Sequence, residues 1–251
     1  MDKERITSNL KTLSLHTVAQ IYEQEAQKAV KTNMTYQGYL GKLVEEEVLC
    51  KTDKSINRRI QIAMFPFIKT LEEFDFSFQK SLNEKFIREL SHLNFLEEAK
   101  NIIFLGPPGV GKSHLAISLG VVACQKRKRV LFYSTESLMT DLAAADFSGS
   151  IQKKLDLLSR IDLLIIDELG YMQMNNASAK LFFQLISKRY EKGSIILTTN
   201  KPFEEWGQIF EDEVIAAAIL DRLLHHCFPI VIKGKSYRTK DLPLGKDNDS
   251  D

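Results

Sequence analysis

Along the first hundred residues, apolar positions return every three to four residues. Leu10, Leu13, Thr17 and Ile21 form one such series, with Tyr39, Leu40, Leu43, Val44 and Val48 forming a second. Leu82, Phe86, Ile87 and Leu90 begin a third. This is the spacing of one helix face, and charged residues fill the intervals. Up to residue 98 only Gly38, Gly41 and Pro66 supply glycine or proline. Proline lacks an amide hydrogen and clashes with the preceding turn, so a helix is expected to stop just before Pro66. The pattern predicts an all-helical N-terminal domain over residues 1–98.

From residue 101 the period changes. Short apolar runs occupy 102–105, 130–133, 163–166, 195–198 and 230–232, and the first four run on to Gly, Ser, Asp or Asn. Each has the length and boundaries of a buried strand. Helical segments over 113–126, 137–145 and 177–190 separate them. Strands alternating with helices predict an α/β fold with a parallel sheet covered on both faces. Ligands of such sheets gather beyond the carboxyl ends of the strands. This second domain is expected over 99–240, followed by a polar tail over 241–251.

Composition narrows the class. At 251 residues with 44% hydrophobic content, the chain can bury one large core with a smaller appendage. No apolar run approaches the roughly 18 residues that span a bilayer, and the opening Met-Asp-Lys-Glu-Arg is no signal peptide. Cys50, Cys124 and Cys227 show no paired spacing, which argues against a disulfide framework or zinc cluster and for a reducing cytoplasm. Thirty-four basic residues against 33 acidic give a formal charge of +1, so any nucleic-acid contact must come from local patches.

Residues 106–113 read Gly-Pro-Pro-Gly-Val-Gly-Lys-Ser between a predicted strand and a predicted helix. Gly106, Gly109 and Gly111 let backbone N–H groups turn inward around phosphates, and the following helix presents its positive end. Lys112 is placed to reach the β- and γ-phosphates, and the Ser113 hydroxyl to ligate magnesium. Pro107, Pro108, Val110 and the following His114 complete the expected ATP-binding set. Downstream, Leu163-Leu164-Ile165-Ile166 delivers Asp167 and Glu168 to a strand end. Asp167 suits a magnesium site made mostly through water, and Glu168 is placed to orient or deprotonate an attacking water. Asn200, ending the fourth run, can hydrogen-bond a γ-phosphate or the lytic water; its alternative is to cap the turn before Lys201-Pro202.

Arg222 lies in Asp221-Arg222-Leu223-Leu224-His225-His226, near the end of a helix beginning around Val214. It could reach a neighbouring subunit's γ-phosphate or simply pair with Asp221 or compensate a helix C-terminus. Adjacent histidines diverge on a helix, so no metal pair is expected of His225 and His226. The stretch 233–240 carries four basic residues in eight, with Tyr237 among them. It suits a phosphate backbone or a nucleotide, or is a solvated tail. The same two readings apply to Lys126-Arg127-Lys128-Arg129 and to Asn57-Arg58-Arg59.

Together these motifs resemble the IstB-like ATP-binding proteins, helper ATPases of bacterial insertion sequences and kin to the DnaC/DnaI helicase loaders of the AAA+ class. Besides the phosphate loop, the resemblance rests on Phe65-Pro66-Phe67-Ile68-Lys69-Thr70-Leu71-Glu72-Glu73-Phe74-Asp75-Phe76 and Ile166-Asp167-Glu168-Leu169-Gly170-Tyr171. It rests also on Lys188-Arg189-Tyr190-Glu191, on the segment around Arg222, and on Lys233-Gly234-Lys235-Ser236-Tyr237-Arg238. It covers nearly the whole chain.

The resemblance implies a P-loop NTPase of AAA+ type with a five-stranded parallel sheet and no C-terminal lid. It implies an ATPase that uses ATP and Mg2+, binds double-stranded DNA, and forms a homo-oligomer with ATP sites between subunits. It also implies a partner transposase, recruited and stimulated at target DNA, and makes Arg222 the arginine finger. The helical domain would then serve DNA binding and assembly, although within residues 1–60 ten Lys/Arg stand against eight Asp/Glu, not a plainly basic surface. A helicase loader acting through protein contacts is the alternative, but residues 1–98 carry no Cys/His cluster of the zinc-binding loader type. A metabolic P-loop kinase would need a substrate pocket and a phosphate-covering lid, for which no segment is evident.

Overall fold

Helical periodicity at the start of the chain produces α1 (Lys3–Thr12), α2 (His16–Lys31) and α3 (Tyr36–Ala63) of a computed structural model that describes residues 2–240. As Pro66 requires, α3 stops short of it. Residues 64–83 are irregular rather than helical, and the third apolar series becomes α4 (Glu84–Leu90), with a single turn, α5 (Asn94–Glu97), after it.

The chain divides into two compact units between Arg58 and Arg59, within α3. The first buries Val18, Ala29 and Leu43. Leu15, which precedes α2, offers no side-chain cap, and Glu47 of α3 supplies one from across the unit by accepting from the Val18 amide at 2.9 Å. Tyr39 donates to the Tyr22 carbonyl at 2.8 Å.

The boundary expected at residue 98 is therefore corrected to residue 58, and the reason is packing. The second unit holds β1 (Asn101–Leu105), β2 (Val130–Ser134), β3 (Leu163–Leu169), β4 (Ser194–Thr199) and β5 (Cys227–Val231). All pair in parallel in the order β2-β3-β4-β1-β5. Each strand sends alternate side chains to opposite faces. Ile103, Leu164, Ile166, Ile195 and Leu197 pack with α7 (Thr135–Phe147), α8 (Ile151–Ser159), α9 (Asn176–Arg189), α10 (Trp206–Phe210) and α11 (Glu213–Leu224).

The other face presents Ile102, Phe104, Leu163, Ile165 and Ile196, and among the described residues α6 (Lys112–Gln125) is the only crossover helix packed there. One helix cannot cover five strands. Residues 59–98 complete the layer: Ala63, Leu71, Phe74, Ile87, Leu90, Leu93 and Phe95 share that core.

The sequence reading finds the five strands and places α6, α9 and α11 within a few residues. It leaves α8 unassigned and sets β5 three residues too late. The expected tail, 241–251, lies outside the described residues. No helix among the described residues is long and apolar enough to cross a membrane.

Candidate nucleotide site

β1 ends at Leu105 and α6 begins at Lys112, so residues 106–111 must reverse the chain at the carboxyl edge of the sheet. Gly109 and Gly111 do so with φ of +78° and +99°, a region that side chains disfavour. A β-carbon at Gly111 would also lie 2.5 Å from Cε2 of Phe74. The irregular segment 64–83 thus rests directly on the loop. Gly106 donates to the Thr199 carbonyl at 3.1 Å, Val110 is buried, and Pro108 lines the cleft above the loop.

Lys112, only 7% exposed, donates its ammonium to the Gly106 and Pro107 carbonyls at 2.7 and 2.9 Å. Burial pulls its pKa below the usual lysine value, and the Asp167 carboxylate opposes that shift. His114 contacts the Thr70 carbonyl through Nε2 at 2.8 Å and stands edge-on to Phe74.

Because β4 is inserted between β1 and β3, its threonines sit between the phosphate loop and the carboxylates. Asp167 Oδ1 accepts from Ser113 Oγ at 2.8 Å and, more closely, from Thr198 Oγ1. Its backbone carbonyl accepts from Thr135 Oγ1 at 2.9 Å. The β3–β4 register shifts between Ile166 and Leu169. There Glu168 adopts φ +64° and donates its amide to Thr198 Oγ1 at 2.9 Å. A left-handed glutamate is uncommon and costs about 1–3 kcal/mol. Here it leaves the Glu168 side chain exposed on the cleft wall while Asp167 stays buried.

The cleft, about 410 Å³, brings together Gly109, Gly111, Lys112, Ser113, Glu168 and Thr198, a volume within the range of small-molecule sites. Phe67 and Phe74 form an apolar wall. Ser113 and Asp167 offer two hard oxygen donors side by side, a donor set that suits magnesium held largely through water. A glycine turn, a helix start and a buried lysine suit a polyphosphate.

Asn200 is not on this wall. It follows β4 against Gly170, and its Oδ1 is buried without a hydrogen-bond partner among the described residues. Thr198, two residues earlier in β4, lines the cleft instead. The period of two along β4 was the signal for it. Arg222 of α11 also lies away from the cleft of its own chain, donating to the Ala218 carbonyl at 2.9 Å with its guanidinium 4.8 Å from the Phe183 ring centroid. It forms no ion pair with Asp221 or any other carboxylate among the described residues.

The expectation that His225 and His226 diverge is wrong. His225 caps α11, still with helical dihedrals, and His226 follows in the turn before β5; there the rings approach to 4.0 Å. Glu191 Oε1 lies 3.5 Å from His226 Nε2 and 3.9 Å from His225 Nδ1. Tyr190 Oη sits 2.7 Å from His225 Nδ1.

The family model described as IstB-like ATP binding protein matches residues 8–243. The chain belongs to that family. Among its IstB-like relatives, the protein named as the ATP-binding protein of insertion sequence IS21 in Pseudomonas aeruginosa is 44% identical over 232 residues, covering 92% of this chain and 88% of that protein. The counterpart named for IS5376 in Geobacillus stearothermophilus is 42% identical, covering 99% of both chains.

Among solved structures, DnaI superposes with a TM-score of 0.55 at 20% identity, over 66% of this chain and 91% of that one. DnaA of Aquifex aeolicus bound to AMPPCP does so with 0.56 at 18%, over 70% and 54%. At those identities the likeness is one of fold, the AAA+ P-loop fold. The molecule is an insertion-sequence ATP-binding protein of the IstB-like family built on that fold.

Proposed function

We propose that the protein is an ATP-hydrolysing regulator of transposition, which oligomerises on double-stranded target DNA and recruits and stimulates a partner transposase. The observation that carries the enzymatic part is the Ser113–Asp167 pair at 2.8 Å, set between a phosphate loop and the exposed Glu168. The insertion-sequence names of the relatives support the transposition context.

In this reading the loop amides and Lys112 bind the β- and γ-phosphates. Ser113 and Asp167 would hold Mg2+, which supplies neutralising charge to the phosphates when bound. Glu168 orients the attacking water and accepts its proton, while Thr198 of β4 holds the Asp167 carboxylate and the Glu168 backbone amide. Asn200, whose buried Oδ1 has no partner among the described residues, serves as the group that hydrogen-bonds the γ-phosphate or the lytic water. Phe67 and Phe74 offer apolar surface to the base. Arg222 completes the site of an adjacent subunit.

Duplex binding with ATP, ADP and no nucleotide, with oligomer size followed by analytical ultracentrifugation, tests the reading. ATP should produce DNA-bound oligomers, ADP should not, and affinity should fall with salt as phosphate contacts release counterions. Lys112→Ala removes charge-assisted bonds to phosphate at about 1.5–3 kcal/mol each, so ATP binding should weaken about 100-fold or more. Unchanged ATP affinity in that variant rejects the phosphate-loop assignment.

Arg222→Ala should keep nucleotide affinity and lower turnover about 10³-fold or more, the usual worth of an arginine finger. Mixing it with Lys112→Ala subunits should restore part of the rate if the arginine acts across a subunit boundary. No recovery at any mixing ratio would argue against the trans role.

A further inference from the structure

Two turns of the second unit meet away from the nucleotide cleft. One follows α9, where Tyr190 ends the helix and Glu191 adopts φ +56°. The other joins α11 to β5 and consists of His225 and His226. A left-handed backbone is uncommon for a glutamate, and here it accompanies a carboxylate that meets both imidazoles.

Buried polar side chains hold both backbones in place. Arg189, the last residue of α9, donates to the Ile161 and Ser194 carbonyls at 3.0 and 2.7 Å. Its own carbonyl accepts from the Lys192 amide at 2.9 Å. Asn101 serves the second turn: its backbone amide donates to the His226 carbonyl at 2.7 Å, and its side chain to the Leu223 carbonyl at 3.0 Å. The same side chain accepts from the Ile195 amide at 2.9 Å, so one residue links β1, β4 and the end of α11. The turns are fixed, while the side chains of Glu191, His225 and His226 stay about half exposed.

Three Lewis-basic atoms converge between the turns. Glu191 Oε1 stands 3.5 Å from His226 Nε2 and 3.9 Å from His225 Nδ1, and the three side chains bring ligand atoms within 4.8 Å of one another. Among the described residues this is the only group of three His, Cys, Asp or Glu so placed. The separations are long for N–H···O bonds. They approach the edge of a coordination tetrahedron, about 3.3 Å for metal bonds of about 2.05 Å. Tyr190 stacks on His225 and holds its hydroxyl 2.7 Å from Nδ1, within reach of a water in the fourth position.

We propose that Glu191, His225 and His226 bind one divalent transition-metal ion of the zinc class, which clasps the end of α11 to the turn between α9 and β4. Two imidazoles with one carboxylate are a zinc donor set, whereas Mg2+ takes oxygen ligands. Exposure of the side chains gives the ion a way in and leaves the fourth position to water. The clasp closes about one helical turn beyond Arg222 of the same helix. It uses no residue of the nucleotide cleft, so it stands or falls apart from the ATP-site reading.

Calorimetric titration of the untagged full-length protein with Zn2+, without nucleotide and with Mg2+ in excess, tests this. The wild type should bind one ion at micromolar concentration. Outer-shell partners alone are worth about 10- to 100-fold in metal affinity, so losing a ligand in Glu191→Gln or His226→Ala should weaken binding about 100-fold or more. Glu191→His, which restores a donor suited to zinc, should stay within about tenfold of the wild type. His92→Ala, outside the cluster, should bind as the wild type does. With free zinc at a hundred times its dissociation constant, the melting temperature of the wild type should rise by about 5 °C or more, and that of His226→Ala by about 1 °C. Equal affinity in the wild type and both ligand-loss variants would place the ion elsewhere, displacement by Mg2+ would assign it to an all-oxygen site, and no saturable binding would mean no site; each overturns the proposal. Bound zinc that leaves the melting temperature unmoved would overturn the clasp.

Discussion

Glu168→Gln is expected to bind ATP normally and hydrolyse it about 10²- to 10⁴-fold more slowly, the range for removing a positioned general base. Glutamine keeps the size and the amide bond to Thr198 Oγ1 that fixes the residue, so the β3 register shift should survive. What it loses is the acceptor for the proton of the attacking water. Asp167 cannot substitute, because its Oδ1 already accepts from Ser113 and Thr198 beneath the cleft surface. Phosphate release measured alongside ATP affinity checks both halves. A rate within a few-fold of the parent would move the base to another carboxylate on the wall, Glu73 or Asp75.

The largest effect on stability is expected at Arg189, which is 1% exposed. Its guanidinium ties three segments: it donates to the Leu158 carbonyl at the end of α8, to the Ile161 carbonyl at 3.0 Å, and to the Ser194 carbonyl at 2.7 Å at the start of β4. Burial drags its pKa down to about 10, still far above neutrality, so the charge persists. Arg189→Met fills similar volume but strands those carbonyls, costing about 3 kcal/mol or more. For a unit of this size that is about 6–12 °C in Tm, readable by calorimetry. An unaltered melting temperature would show that water takes over the three acceptors.

Arg189 also shows what a sequence can and cannot convey. Lys188-Arg189-Tyr190-Glu191 stood out as part of a resemblance, without indicating that its arginine is a buried brace while Tyr190 and Glu191 meet the histidines of another helix. The contacts of Tyr190 and Glu191 with those histidines join residues more than thirty positions apart. The phosphate loop was legible because its chemistry is local: glycines, lysine and serine act through backbone geometry within eight residues. Asp167 and Glu168 were legible because an apolar strand must release its polar residues at its end. Thr198 was missed although the period of two along β4 puts it on the face of Asn200, because its role depends on β4 being inserted between β1 and β3. The boundary near residue 98 failed for a related reason. Helical periodicity reports which face of a helix is apolar but not which core receives it, and residues 59–98 have the sheet as their core.

Pro229 lies in β5, an outer strand of the sheet, opposite Ile103. A proline offers no amide hydrogen, and outer strands that carry one resist the addition of a further strand. The sheet is thereby discouraged from continuing across that border into a second molecule. Copies that meet there would join through side chains, whose geometry a bound ligand can adjust, rather than through a backbone ladder, which once formed is hard to undo. Such a junction is suited to being made and broken repeatedly.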